Sequence, residues 1–192
     1  MLASITPLGE RGRRQRWGVT VAFLLAGATL AGAAVGGVLA ATGTALPVSS
    51  AVRLAVLGAV VAVGLALDLS GRLPTHLRQV DERHLHRFRG WVYGLGFGVQ
   101  LGTGLATVIT TSTVYTMLAA ALLAPSVAWG AAIVAAFGAV RGVTPLLSAR
   151  VDSPRALARF HRRFHALDRR AACAALVSQA ALLALLLLLL AA

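Results

Sequence analysis

Apolar residues run along this chain in five long stretches, roughly Trp17–Ala41, Ser50–Leu69, Trp91–Leu123, Ser126–Ser148 and Ala172–Ala192. A helix needs about 20 predominantly apolar residues to cross a bilayer core, so each stretch predicts a transmembrane α-helix. The third is overlong for one crossing and is expected to tilt, protrude or break. The intervening segments alternate in kind. "TGTALPVSS" (42–50) and "LAPS" (123–126) each hold a proline and no charge, whereas "GRLPTHLRQVDERHLHRFRG" (71–90) and "ARVDSPRALARFHRRFHALDRR" (149–170) are basic. The chain therefore reads as one membrane domain: a basic tail (1–16), a first hairpin (17–70), a basic loop (71–90), a second hairpin (91–148), a basic amphipathic loop (149–170) and a last helix (171–192). The expected fold class is an all-α integral membrane protein of five transmembrane helices.

Composition agrees: of 192 residues 58% are hydrophobic and 12% charged, against about 25% charged in soluble domains. The formal net charge of +12 would suit a nucleic-acid partner if it were spread over a surface. It is not. Sixteen of the 18 Arg lie in the tail and the two basic loops, none lies in either proline turn, and there is no Lys. By the positive-inside rule this predicts a multi-pass protein of the cell (inner or plasma) membrane, with a cytoplasmic N-terminus and the C-terminus outside. The excess charge is thus a topology signal, and no nucleic-acid partner is expected. "RRQRWGVTVAFLLAG" has the basic start of a signal peptide, but its apolar run outlasts the about 7–15 residues of such a segment, so a retained helix is expected.

An internal echo suggests a tandem repeat of a helical hairpin. Trp17, Phe23 and Thr29 recur 74 positions on as Trp91, Phe97 and Thr103, and Pro47 recurs 78 positions on as Pro125. The basic loops predict two amphipathic cytoplasmic helices at the lipid interface. In the second, Leu157, Phe160, Phe164 and Leu167 form an apolar stripe opposite Arg155, Arg159, Arg162 and Arg163, the candidates for anionic lipid headgroups. His161 and His165 are four apart, and His84 and His86 lie in the first loop. No acid or Cys sits beside the first of these pairs, and an Arg-rich setting disfavours a cation at either, so interfacial contacts are expected and no metal. Cys173 is expected to be a small buried residue. The run Leu185–Leu190 should face lipid, and Arg53 falls at the proline-turn end of its segment, where it needs no special account.

Candidate chemistry concentrates in "GFGVQLGTGLATVITTSTVYT" (96–116). Gln100, Thr103, Thr107, Thr110 and Thr111 are spaced to share one face of a helix, and Gly96, Gly98, Gly102 and Gly104 allow close approach or a break. Two readings stay open: a packing face, which small residues and Thr favour in membranes, and the lining of a solute path. The equivalent face of the earlier repeat is Ala26, Thr29, Ala33 and Gly36, so polarity is concentrated in the later copy. Arg141 lies inside the fourth stretch and Asp68 near the end of the second, at a similar depth; they are candidate partners and complete the set of path residues.

"YGLGFGVQLGTGL" (93–105), after a basic loop, resembles the opening of the second half of CcdA/DsbD-type membrane proteins. That resemblance aligns Phe97 and Gly98 with the family's Phe-Gly and sets Gly102, Thr103 and Gly104 where the family has Thr-Pro-Cys. It covers about a quarter of the chain. The family implies six helices and a cysteine pair, whereas this chain offers five stretches and one Cys, so thiol relay, which needs two thiols, is not expected. No catalytic residue carries over. The sequence predicts a transporter- or exporter-like protein without cofactor, with its path along the third helix. The alternatives are a non-catalytic subunit or scaffold of a larger complex and a quinone-associated subunit. The expected partners are the lipid bilayer and a second copy or another membrane protein.

Overall fold

The computed structural model describes residues 5–74, 88–104 and 109–191. Their elements are α1 (Pro7–Gly12), α2 (Trp17–Thr44), α3 (Ser50–Ser70), α4 (Gly90–Thr103), α5 (Thr113–Leu122), α6 (Val127–Val143) with a 3-10 turn at Thr144–Ser148, and α7 (Pro154–Ala191). Ser49 and Ser126 cap the starts of α3 and α6 by accepting hydrogen bonds from Val52 N and Trp129 N. Among the described residues four helices are long and apolar enough to cross a membrane: α2, α3, α6 with its 3-10 extension, and α7.

The third apolar stretch is two helices, not one. α4 ends at Gly104, whose φ of 73° is left-handed and suits only glycine without strain. Thr110–Ser112 are not helical, and α5 starts at Thr113. The local chemistry accounts for the gap. Val, Ile and Thr are stiff at χ1, and Ser and Thr hydroxyls compete for backbone groups, so "TVITTST" is a poor place to continue a helix.

α2 is the centre of the molecule. Ala28, Gly32, Gly36 and Ala40 repeat every four residues and are buried. On one side Gly94, Gly98 and Gly102 of α4 meet Thr20, Leu24 and Ala28; on the other, Gly130 and Gly138 of α6 meet Gly36 and Ala28. A Cβ on Gly27 would come within 2.6 Å of the Leu95 carbonyl oxygen, and one on Gly36 would run into that of Gly130. Backbone lies on backbone, the arrangement small residues permit where lipid removes any hydrophobic drive for helices to associate.

These contacts also fix direction. α4 runs parallel to α2 from its start, and at the far end Gly43 of α2 abuts Leu122 of α5. The α4–α5 pair therefore follows α2 along its whole length of about 42 Å. α6 returns antiparallel. α3 packs on α5 and α7, and α7 packs mainly on α3.

Three further expectations need correction. Residues 1–16 are not simply a basic tail: Leu8 N donates to Val151 O (3.1 Å), and Gln15 Oε1 accepts from Gly90 N (3.1 Å) at the start of α4. Glu10 is fully buried, accepting from Thr20 Oγ1 (2.8 Å), from the Tyr93 hydroxyl and from the Arg13 guanidinium. Burial opposes the Arg13 charge, but the hydrogen bond and charge of Glu10, helped by Tyr93, outweigh it and raise the Arg13 pKa. Second, the basic stretch 149–170 forms no separate interfacial helix. From Arg155 to Ala191 there is neither Gly nor Pro to stop a helix, and α7 runs unbroken through the amphipathic half into the last apolar stretch. Third, Cys173 is exposed on α7. Residues 75–87 of the first basic loop, with His84 and His86, lie outside the described residues.

Arg53 does more than sit at an end. Its guanidinium donates to Gly43 O (2.9 Å) and Leu46 O (3.3 Å), and to Leu123 O (3.4 Å) and Ala124 O (3.3 Å). One cation thus ties both proline turns together by their terminal carbonyls, where a helix dipole favours positive charge.

Candidate functional site

The break between α4 and α5 exposes two sets of backbone groups that an unbroken helix would have paired. It lies opposite Ala28, about 22 Å along α2 from Gly43 and so well inside the length of an apolar helix of about 42 Å. At the end of α4 the unpaired groups are carbonyls. Arg141 Nη1 donates to Leu101 O (3.4 Å), with its guanidinium 5.3 Å from the centre of the Phe137 ring. Thr103 Oγ1 donates to Gln100 O (2.9 Å), and Gly104 N to Leu101 O (3.3 Å). A cation over a ring and a helix C-terminus is favourably placed on both counts.

At the start of α5 the unpaired groups are amides, and the side chain that meets them is an acid. Ser112 N lies 2.9 Å and 3.0 Å from the two carboxyl oxygens of Asp68, and Ser112 Oγ lies 2.8 Å from Oδ2. Gln179 of α7 completes the cluster, with Nε2 2.9 Å from Asp68 Oδ2 and Oε1 2.7 Å from Ser112 Oγ. Ser112 and Gln179 are buried and Asp68 is partly so. Gly64 makes the approach possible: a Cβ there would stand 2.7 Å from Ser112 Oγ.

Asp68 and Arg141 are therefore both at the break, but no ion pair joins them. Each takes one end of the interrupted helix: the guanidinium meets a carbonyl of α4, and the carboxyl group meets an amide at the head of α5. Gln100 and Thr103 sit on the last turn of α4, partly buried. Thr110 is exposed and Thr111 partly buried, both beyond the helix; Thr107 lies outside the described residues. The single helical face from Gln100 to Thr111 does not form, because the helix that would carry it stops at Thr103. On α7, Arg155, Arg159, Arg162 and Arg163 are exposed, as are Leu185 and Leu187–Leu190, while Leu186 is buried.

Two members of the cluster escaped the sequence. Gln179 is an amide in an otherwise Ala- and Leu-rich span, which is itself a signal, since intramembrane polar groups are costly. Ser112 gives none, being one hydroxyl among many. The hydroxyls of Thr113 and Thr116 are buried on α5 without a hydrogen-bond partner among the described residues. Beside the cluster, α3 and α5 bound a laterally open groove of about 450 Å³ lined by Val56, Val60, Val63, Leu67, Pro74 and Tyr115, almost wholly apolar. No family model, curated protein or solved structure matches the chain.

Proposed function

We propose that this is a small transporter- or exporter-like protein of the cell membrane whose path runs through the break in its third segment. The observation that carries this reading is the break itself, with a cation at one end and a carboxyl group at the other. In lipid each unsatisfied backbone group costs several kcal/mol, and non-helical backbone survives only inside protein or along a cavity. Two ionisable side chains, Arg141 and Asp68, add to that expense. Discontinuous helices whose half-ends face a solute or coupling ion are a recurring solution in transporters.

On this reading α4 and α5 together make the third of five crossings, and the second hairpin repeats the first. The positive-inside rule sets the N-terminus in the cytoplasm and the C-terminus outside. Gln100, Thr103, Thr107, Thr110 and Thr111 border the path. Arg155, Arg159, Arg162 and Arg163 engage anionic headgroups where α7 leaves the bilayer. In the resemblance to CcdA/DsbD-type proteins, Gly102–Gly104 is the family's Thr-Pro-Cys position and here the turn at which α4 ends. Without a cysteine there, the element serves another cargo. The chain acts as a homo-oligomer or with a membrane partner.

The scaffold reading draws on a different observation: the glycine-lined contacts of α2 bring backbone against backbone, and the groove beside the break is apolar. Thiol accessibility separates the two. With Cys173→Ser as background, Gln100, Thr103, Thr107, Thr110 and Thr111 are replaced by Cys one at a time and probed in membranes with an impermeant thiol reagent. Labelling at Thr110, Thr111 and at least one α4 position is expected. Silence at all five, with Thr44→Cys labelling normally, sinks the path and leaves the scaffold.

A further inference from the structure

We infer that Asp68, Ser112 and Gln179 form a binding site for a single proton between α3, α5 and α7. The number of available hydrogens decides this. Three short contacts close a triangle: Ser112 Oγ to Asp68 Oδ2 at 2.8 Å, Ser112 Oγ to Gln179 Oε1 at 2.7 Å, and Gln179 Nε2 to Asp68 Oδ2 at 2.9 Å. Each needs one hydrogen between its atoms. The amide supplies the third, but a hydroxyl carries only one hydrogen and must serve two acceptors, Oδ2 and Oε1. With Asp68 ionised, one oxygen–oxygen contact is left with lone pairs facing each other.

Turning the amide over does not help, although oxygen and nitrogen are interchangeable by shape. Nε2 then donates to Ser112 Oγ and Ser112 donates to Oδ2, but Oε1 faces Oδ2 with no hydrogen available. Both orientations are one proton short. A proton on Asp68 Oδ2 completes either. In the first, Oδ2–H donates to Ser112 Oγ, Ser112 donates to Gln179 Oε1, Nε2 donates to Oδ2, and Ser112 N is accepted by Oδ1 at 2.9 Å. Glu10 is the contrast: its contacts come from the Tyr93 and Thr20 hydroxyls and the Arg13 guanidinium, all donors, and call for no added proton.

Among the described residues the helices around Asp68 bring no compensating cation. α5 offers Ser112 and Tyr115, whose hydroxyl donates to Pro74 O (2.7 Å). Between Gln179 and Ala191, α7 carries no ionisable side chain, and Cys173 is exposed. On α3 itself, Arg53 is engaged at the far end, and Arg72 lies exposed past the Gly71 cap. Arg141 is held at Leu101 O. The proton comes from water at the nearby end of α3, where Ser70 and Gly71 are exposed. Its release turns the acid back into a carboxylate and restores the lone-pair contact at the first turn of α5. Its role as coupling ion rests on the transport reading; its presence does not.

The test uses the full chain in lipid nanodiscs. Asp81→Asn, Asp152→Asn and Asp168→Asn together leave Asp68 the sole aspartate. The carboxyl group is then labelled with carbon-13 and read by infrared spectroscopy at neutral pH. A label-shifted carbonyl band of a protonated acid is expected, in sodium and choline buffers alike. A carboxylate band alone overturns the inference, and loss of the acid band only in sodium overturns it in favour of an alkali cation. Stability is the second readout. Asp68→Asn carries the missing hydrogen on its amide and should match the parent's thermal midpoint, while Asp68→Ala falls below it; Asn as damaging as Ala overturns the proton. Neither readout involves a solute, so a dry path in the thiol assay removes the transport reading without touching this one.

Discussion

Replacing Glu10 with Gln keeps the side chain's size and removes only its charge. In the native protein the carboxylate is fully buried and the Arg13 side chain 14% exposed, so water screens the pair little. Taking one partner from a buried ion pair costs about 3–5 kcal/mol, because the other charge is left uncompensated. The lower end applies here, since the amide oxygen can still accept from Tyr93 and Thr20 while its NH2 must face Arg13. At about 2–4 °C per kcal/mol for a chain of this size, Glu10→Gln should lower the thermal midpoint by roughly 6–12 °C. Because Arg13 has its pKa raised in the fold, its contribution is present below the ordinary arginine range and is lost only as pH rises above it. The deficit should therefore be the same at neutral and mildly alkaline pH. Arg13→Gln should cost a comparable amount, and the double variant less than the sum by at least about 1 kcal/mol. The assay is thermal unfolding in detergent across the four-member cycle. A midpoint for Glu10→Gln within about 2 °C of the parent, or strict additivity in the cycle, would refute the claim that this pair pins the N-terminal segment to α2 and α4.

Two other substitutions probe the frame. Gly36→Leu must drive α2 away from the Gly130 carbonyl and should abolish a monodisperse folded peak in size-exclusion chromatography, whereas Gly96→Ala, with nothing within 4 Å of the new methyl, should leave it unchanged and gain up to about 1 kcal/mol. Ala171→Pro should cost about 3 kcal/mol or more in thermal unfolding if α7 is one helix, since a proline there removes an internal hydrogen bond; a junction between two helices would tolerate it.

The apolar stretches of α2, α3 and α6 were legible because hydropathy and the proline turns mark them independently. The third stretch announced trouble by its length, its glycines and its threonines, yet its resolution into α4 and α5 depends on what the two ends find, and Asp68 and Arg141 are far away in sequence. Their depth suggested a pair. The helix ends compete for them, one offering carbonyls to the guanidinium and the other an amide to the carboxyl group, and the chain does not display that competition. Gln179 and Ser112 meet Asp68 across separations of 111 and 44 residues, which no local pattern encodes. Glu10 was hidden by its neighbours, one acid among arginines that read as a tail. α7 was missed by trusting a change of composition as a boundary when no residue stops the helix.

The two anchors of the interrupted segment belong to different groups of helices. Arg141 grips α4 from within the tightly meshed set of α2, α4 and α6, whereas Asp68 and Gln179 hold the head of α5 from α3 and α7, which touch that set mainly through α5 and the Arg53 clasp. Mechanically the protein is a block and a leaf. The clasp ties the leaf to the block at the proline-turn edge, and farther along α3 the contacts of Asp68 and Gln179 with Ser112 tie it to the first turn of α5, the point at which a tilt of the leaf would be felt. A tilt of α3 and α7 by a few degrees would pull on Ser112 while α4 stays still, so the gap between the half-helices acts as an expansion joint for the whole molecule.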